Sequence, residues 1–544
     1  MLAGEERRVG RGGSQVAGDS GRPGGAEPAE QERGSGFAVP RGMEPPLGGR
    51  DHPSSEFAVP EGLRLPPRTR PHSEFTPAQG IPVLGPGMFW QDRMRSLVRL
   101  PLAERPAPEP PARAEDAASA VPRVLDLTLR IGELLLAGGE GAEDVEAAMF
   151  GVVHAYGLAR CEATVTFTLL SITHQPSLVE APVSLSRTVR RRGTDYTRLT
   201  AVFQLVDDIS RGETTLEDAY GRLATIRRNR HPFSTWQLTI ASGLLAGAAS
   251  TLVGGNWQVF LLAAIGAMLG DRLAWLAAGR GLPEFYQFVA AAIAPAFVGM
   301  AWAAGHTSGA DERQAAAMIT GGLFALIPGR ALVAGVQDGL TGYYLTASAR
   351  LLEVAYLGVG IVVGVIGVLY VGEISGVRLD PDVIERATRP GIQLGAALLL
   401  SLTFCVLLQQ PRRTVLPATL NGGVAWLIYG AMHDTAGLSP FAATAVGAGM
   451  VGLFGQLQSR YRFTSSLPYV TAAIGPLLPG GAVYLGLLGF AQGNVDAGVE
   501  SLLTAVTLAL AIAIGVNLGS ETARLFIRPP TPTPRRGAKR TRGF

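Results

Sequence analysis

Polar and apolar positions alternate in two regimes that change near Trp236. Upstream, short patterned stretches lie between polar segments. Val124–Ala137 has helical apolar spacing and runs into Gly138-Gly139, a helix stop. Glu143–Tyr156 predicts a second helix, closed by Gly157. Cys161–Thr168 alternates with period two, setting Ala163, Val165 and Phe167 against Thr164, Thr166 and Thr168, and predicts a strand; Val183–Arg190 predicts another. Tyr196–Ser210 and Thr215–Ile226 predict two more helices, the second with Glu217 and Asp218 in its first turn. Downstream of Trp236 the pattern becomes long apolar runs, at 236–253, 257–270, 285–304, 314–327, 346–372, 390–409, 415–432, 439–457, 467–488 and 498–518. About 20 apolar helical residues cross a bilayer. The prediction is a polytopic α-helical membrane protein of about ten transmembrane helices, preceded by a small soluble α/β domain.

The chain divides accordingly. Residues 1–120 are rich in Gly, Pro, Arg and Glu and poor in aliphatics, so they are expected to be a disordered tail that cannot offset its chain entropy by burial. Within it, Gly36-Phe37-Ala38-Val39-Pro40 and Glu56-Phe57-Ala58-Val59-Pro60 are look-alikes, readable as a docking peptide or as low-complexity drift. Residues 121–231 are expected to form the soluble domain, 232–372 and 373–519 two five-helix membrane repeats, and 520–544 a basic tail.

Composition changes this picture little. The net charge of +3 points to no polyanionic partner, and no nucleic acid is expected. All but one of the 47 basic residues are arginine, the exception being Lys539 in the tail, so a P-loop lysine is absent and an ATP-driven pump is excluded. Cys161 and Cys405 fall in different regions and predict no disulfide framework; Met1 leads into Glu, Arg and Gly, so no signal peptide is expected. Arginine position predicts orientation. With the soluble domain in the cytoplasm, Arg227, Arg228, Arg272, Arg280, Arg330, Arg350, Arg412, Arg413, Arg460 and Arg462 all lie inside, and loops 254–256, 433–438 and 489–497 outside carry none. Arg313 and the group Arg378, Arg386 and Arg389 break the pattern. Both termini are expected in the cytoplasm of a cell-membrane protein.

The ten spans divide five and five. Ile327-Pro328-Gly329 ends the fourth and Leu478-Pro479-Gly480 interrupts the ninth, an offset of 151 residues that also pairs Gly335 with Gly486 and Gly342 with Gly493. An odd number of spans per half makes the repeat inverted, and paired Gly/Pro interruptions point to a transport site near the midplane. Pro328, Gly329, Pro479 and Gly480 are therefore candidate pathway residues. Asp338 is the carboxylate closest to the first break, and an intramembrane carboxylate is costly unless it has a function; a wet loop is the other reading. Arg350 and Glu353, three apart, share a helix face and could pair there, or anchor the helix at the interface. Asp271, Arg272 and Glu284 are expected in a solvated loop. No catalytic residues, cofactor or metal are expected.

Gly141-Ala142-Glu143-Asp144-Val145-Glu146, the threonine-bearing strand, and Ile327-Pro328-Gly329 followed by Asp338 and Arg350 resemble, in that order, the threonine/serine exporter family over residues 121–518. The resemblance implies a cytoplasmic-membrane transporter moving small hydroxy amino acids outward on the proton motive force. Its implied partners are a small amino-acid substrate, protons and the lipid bilayer; self-association into a homo-oligomer stays open. A related split form is associated with dicarboxylate export. Two departures bear on the soluble domain: Asp144 stands where the family usually has Arg, and the long tail is not general.

The competing enzyme reading is a membrane-anchored hydrolase built on His154, Ser171, His174 and Asp195, without a Gly-x-Ser-x-Gly elbow to support it. A sensor lacks any kinase or nucleotide-binding pattern, and a channel would not need the broken repeat.

Overall fold

The computed structural model describes residues 117–526, apart from 178, 190–192, 194, 229–231, 306–308, 378–388 and 463, together with residues 90, 91, 94 and 95. The Phe-Ala-Val-Pro look-alikes and the basic tail beyond 526 lie outside the described residues.

The first part carries four helices and a sheet: α1 (Ala117–Ala137), α2 (Ala142–Ala155), β1 (Cys161–Val165), β2 (Leu169–His174), β3 (Val183–Thr188), α3 (Tyr196–Ser210) and α4 (Leu216–Arg228). The three strands are antiparallel in the order β1-β2-β3, with Cys161 opposite His174 and Ile172 opposite Leu185. Strand β2 was not among the predicted elements, although Leu170, Ile172 and His174 alternate onto its buried face. Leu125, Leu127, Ile131 and Leu135 of α1 and Val145, Met149 and Val152 of α2 fill the core beneath it.

That core corrects the expectation for the tail. Trp90 and Met94 are almost wholly buried in it, Trp90 with its ring 4.8 Å from Phe203, and Arg95 pairs with Asp144. Helix α1 also begins at Ala117, ahead of the predicted boundary. A window scored by composition hides a few anchoring residues among many polar ones.

Downstream, the helices are α5 (Thr235–Leu252), α6 (Trp257–Gly279), α7 (Glu284–Gly305), α8 (Gly309–Phe324), α9 (Gly329–Leu340), α10 (Tyr344–Ile374), α11 (Pro390–Leu407), α12 (Arg412–Gly430, prolonged by a wide turn Ala431–Thr435), α13 (Pro440–Arg462), α14 (Leu467–Ala473, followed by a 3₁₀ turn Gly475–Leu477), α15 (Gly480–Ala491) and α16 (Val495–Phe526). Seven of them, α6, α7, α10, α11, α12, α13 and α16, are long and apolar enough to cross a membrane, and α14 with α15 makes an eighth as a pair bent by 54°. Among the described residues these are fewer than the ten expected apolar spans. Helix α5 carries Gln237, Thr239, Ser242, Ser250 and Thr251, and α8 is a 16-residue helix, so neither reaches the length and hydropathy of a spanning helix among the described residues.

Helix ends follow local chemistry. Ser234 and Gln237 form a reciprocal capping box on α5, and the Asn256 side chain accepts from the amides of Gln258 and Val259 to start α6. Asp271 and Arg272, expected in a loop, lie inside α6, which continues past its apolar window. There Thr239 donates to the Asp271 carboxylate, and the Arg272 guanidinium sits 4.2 Å over the Trp236 ring, so both charges are satisfied on a helix.

The helices pack in matching pairs. In the first half α5 lies on α6, α6 on α7, α7 on α10, and α9 on α10; in the second α11 lies on α12, α12 on α13, α13 on α16, and α15 on α16. The halves meet where α5 packs on α11, α9 on α16, and α10 on α15.

Candidate functional site

Two breaks meet at the centre. At each, a proline bends the chain through a one-residue turn. Pro328 has φ −76° and ψ 48°, and the Gly329 amide donates to the Ile327 carbonyl at 2.7 Å; Pro479 has φ −79° and ψ 52°, and the Gly480 amide donates to Leu478 at 2.8 Å. Both sit near the inverse γ-turn. The next helix then begins in the same way, Leu332 bonding Pro328 at 3.0 Å and Val483 bonding Pro479 at 3.1 Å. The ends of α9 and α15 also correspond: Tyr343 bonds the Asp338 carbonyl at 2.8 Å, and Asn494 bonds Gly489 at 2.9 Å.

The breaks touch. A Cβ on Gly329 would come within 2.7 Å of Leu478, and one on Gly480 within 2.9 Å of Phe324. At both, a side chain from the other break, Leu478 or Phe324, fills the space a Cβ would take. The N-termini of α9 and α15 therefore converge. The amides of Gly329 and Gly480 are taken by the turns, but the next amides of each helix have no intrahelical acceptor and carry the positive end of the helix dipole, a setting suited to an anionic group. Around them lie Val333, Ile474, Leu477 and Leu478 in a buried apolar cluster.

Asp338 and Arg350 are brought together, but elsewhere. Helices α9 and α10 form a hairpin turning at Gly342, which has φ 94°. This sets Arg350 Nη1 3.2 Å from Asp338 Oδ2, with both residues at least 95% buried. The same Asp338 carboxylate accepts from the Ala142 amide at 3.0 Å through Oδ1 and so caps α2. Arg350 Nη2 also donates to the Glu140 carbonyl at 2.9 Å. Glu353 lies one turn further along α10 and is half-buried. The wet-loop reading of Asp338 is thus corrected: the start of α2 and the α9–α10 hairpin enclose it together.

Glu140, which the sequence did not single out, completes this cluster. Helix α1 stops at left-handed Gly139 (φ 92°), with the Gly139 amide bonding Leu136 and the Glu140 amide bonding Leu135, each at 3.1 Å. This turn directs the buried Glu140 carboxylate at the Ser465 hydroxyl, whose oxygen lies 3.1 and 3.2 Å from its two oxygens. Burial, reinforced by Asp144, pushes Glu140 up to about 8, against the opposing pull of Ser465, Arg95 and Arg350. Tyr343 donates to Glu146 on the next turn of α2.

The first part of the chain is fastened to the later helices at a second place. The amides of Tyr196 and Thr197 at the start of α3 donate to the carbonyls of Leu408 and Gln409, at 3.1 and 3.2 Å, in the turn between α11 and α12. The buried Tyr196 hydroxyl donates to Thr471 Oγ1 on α14 at 3.1 Å. Thr471 lies on the helix that runs into the second break, so this fastening reaches the element that ends at Pro479.

The residues of the hydrolase reading serve other contacts. His174 Nδ1 lies 3.3 Å from Cys161 Sγ across the strand pair; Asp195 caps α3 by accepting from the Arg198 amide at 3.0 Å; His154 stacks on Phe150. Burial pushes the Cys161 thiol up to about 12, which keeps it protonated, and lowers His174. Among the described residues no group of three or more His, Cys, Asp or Glu could hold a metal ion.

Two family models match the chain in succession. One, described as a putative threonine/serine exporter, covers residues 126–372; the other, described as a threonine/serine exporter, covers residues 393–521. A relative from Mycobacterium tuberculosis, named a probable threonine/serine exporter, is 34% identical over 73% of this chain and 76% of its own length. One from Corynebacterium glutamicum, named a threonine/serine exporter, is 29% identical over 81% of this chain and 91% of its own. No solved structure matches.

Proposed function

Because this chain belongs to the threonine/serine exporter family, we propose that it is a secondary transporter that moves small hydroxy amino acids out across the cytoplasmic membrane, driven by the proton motive force. The observation that carries this reading is the convergence of two helix N-termini at touching Pro-Gly breaks. In this reading the breaks belong to a five-plus-five inverted repeat, and their free amides hold the substrate carboxylate. Carbonyls freed at the ends of α8 and α14 face the ammonium. Pro328, Gly329, Pro479 and Gly480 form the binding layer. Asp338, Arg350 and Glu353 belong to the access route on the side where the domain sits.

The domain occupies the cytoplasmic face, with both termini on that side. Support comes from the arginine bias and from the domain's fastening to three turns, α9–α10, α11–α12 and α13–α14. The test is counterflow in proteoliposomes of the full chain, against labelled threonine, serine and succinate, with and without a protonophore. Threonine and serine should exchange, and net efflux should slow when the proton gradient collapses. Exchange of succinate alone would replace this reading with dicarboxylate export.

A further inference from the structure

The domain and the helix bundle share one buried carboxylate that neither needs for its own fold. Glu140 follows the stop of α1, so α1 is complete without its side chain. Its carboxylate accepts from the bundle across 325 residues, at Ser465 between α13 and α14. Its backbone carbonyl is gripped by Arg350 across 210 residues. The charged groups around it are Asp144 in the first turn of α2, with Arg95 against it, and Arg350 from α10, itself paired with Asp338 of α9; the segment between α13 and α14 brings the Ser465 hydroxyl. A buried carboxylate with an acidic neighbour has reason to hold a proton while docked and to release it when the domain lifts and water returns.

We propose that Glu140 is a proton-binding residue of the transport cycle, which docks the domain over one mouth of the helix bundle when protonated and frees it when ionised. This rests on the transporter reading for its purpose, but the docking equilibrium can be measured without any substrate. The sign is fixed by the two states. Burial, reinforced by Asp144, pushes the docked carboxyl up to about 8, whereas the solvated one keeps the ordinary glutamate value. Docking is therefore fully favoured below the ordinary value and is weakened as pH rises to about 8. Between the two, each pH unit changes the docked-to-undocked ratio by about tenfold per proton. Lifting the domain also breaks the Ala142–Asp338 and Tyr196–Thr471 hydrogen bonds, so one proton on Glu140 governs both fastenings.

The test uses the full chain in lipid nanodiscs, with Cys161→Ala and Cys405→Ala and spin labels at the exposed positions Glu162 and Arg412. Pulsed dipolar spectroscopy should give one short distance at pH 5 and a longer population that grows as pH rises to about 8 and levels off above it. Glu140→Gln, a neutral isostere, should hold the short distance throughout that range. A longer population that grows with pH in Glu140→Gln as it does in the parent, or a parent distance that ignores pH, overturns the proposal. If Glu140→Gln does not fold, Ser465→Ala decides: losing a hydrogen bond made only in the docked state should bring the longer population in at lower pH than in the parent, and an unmoved midpoint counts against the proposal. A working switch without threonine counterflow would sink the substrate reading alone. Threonine counterflow with a pH-blind distance would sink the switch alone.

Discussion

The carboxylate of Asp338 caps the helix that begins at Ala142, 196 residues earlier in the chain, and holds Arg350 with its other oxygen. One side chain thus joins a domain to a helix hairpin. Breaking a buried pair by removing one partner costs about 3–5 kcal/mol, because the other charge is left uncompensated. Asp338→Asn should therefore lower the melting temperature of the purified chain and abolish proton-dependent threonine counterflow. Adding Arg350→Met should cost less than the two single losses together, by about 1–3 kcal/mol. Strict additivity would show that the two residues act separately.

Bulk at the crossing should be more harmful than the loss of either proline. Gly329→Val and Gly480→Val each force a branched side chain into Leu478 or Phe324, an overpacking of about 1–3 kcal/mol. Counterflow should fall in both, and by similar factors if the two breaks form one site. Pro328→Ala should chiefly weaken substrate affinity, by letting the helix continue and consume the free backbone groups. Equal affinity in Pro328→Ala and the parent would place the substrate elsewhere.

Truncations should separate the tail from the core. Removing residues through 110 takes away Trp90 and Met94, whose burial implies a loss of about 3–5 kcal/mol for the tryptophan alone. Trp90→Ala in the full chain should reproduce most of that loss in a thermal melt. A deletion ending before Trp90 should melt like the parent. Identical melting of all three proteins would contradict the packing of Trp90 on Phe203.

Sidedness is checked with single cysteines at Asn256 and Thr435, at helix ends remote in sequence from the domain contacts. Both should react with an impermeant thiol reagent added outside intact cells, and a cysteine at Arg412 should not. The reverse pattern would invert the assigned orientation.

Much of this was legible in the sequence because its causes are local. Helix spacing, Gly138-Gly139, the acidic first turn at Glu217 and Asp218 and both Pro-Gly breaks all act within a few residues, and they predict elements whose ends the structure places nearby. Asp338 and Arg350 stood out as charges beside a break. Their meeting did not, because Arg350 invited a partner three residues along its own helix, while the hairpin at Gly342 supplies one twelve residues earlier. Glu140 was invisible for a different reason. An acid in a Gly-Gly-Glu-Gly connection reads as solvated, and nothing nearby announces Ser465. Arg272 was misplaced because an apolar window ends at a charge, whereas the helix goes on when an aromatic face such as Trp236 receives it.

The exchange of helices between halves also sets an order of events. Helix α9, which carries Asp338, packs not only on its neighbour α10 but on α16, the last of the described helices to be synthesised. During translation the first half must wait with one wall of that helix uncovered while more than a hundred residues are still to come. Its partner surface arrives only with Val495–Phe526. A ribosome stalled before that point leaves the first half's broken helix open to lipid or to quality control, so the chain's assembly is complete only when its end reaches back to its middle.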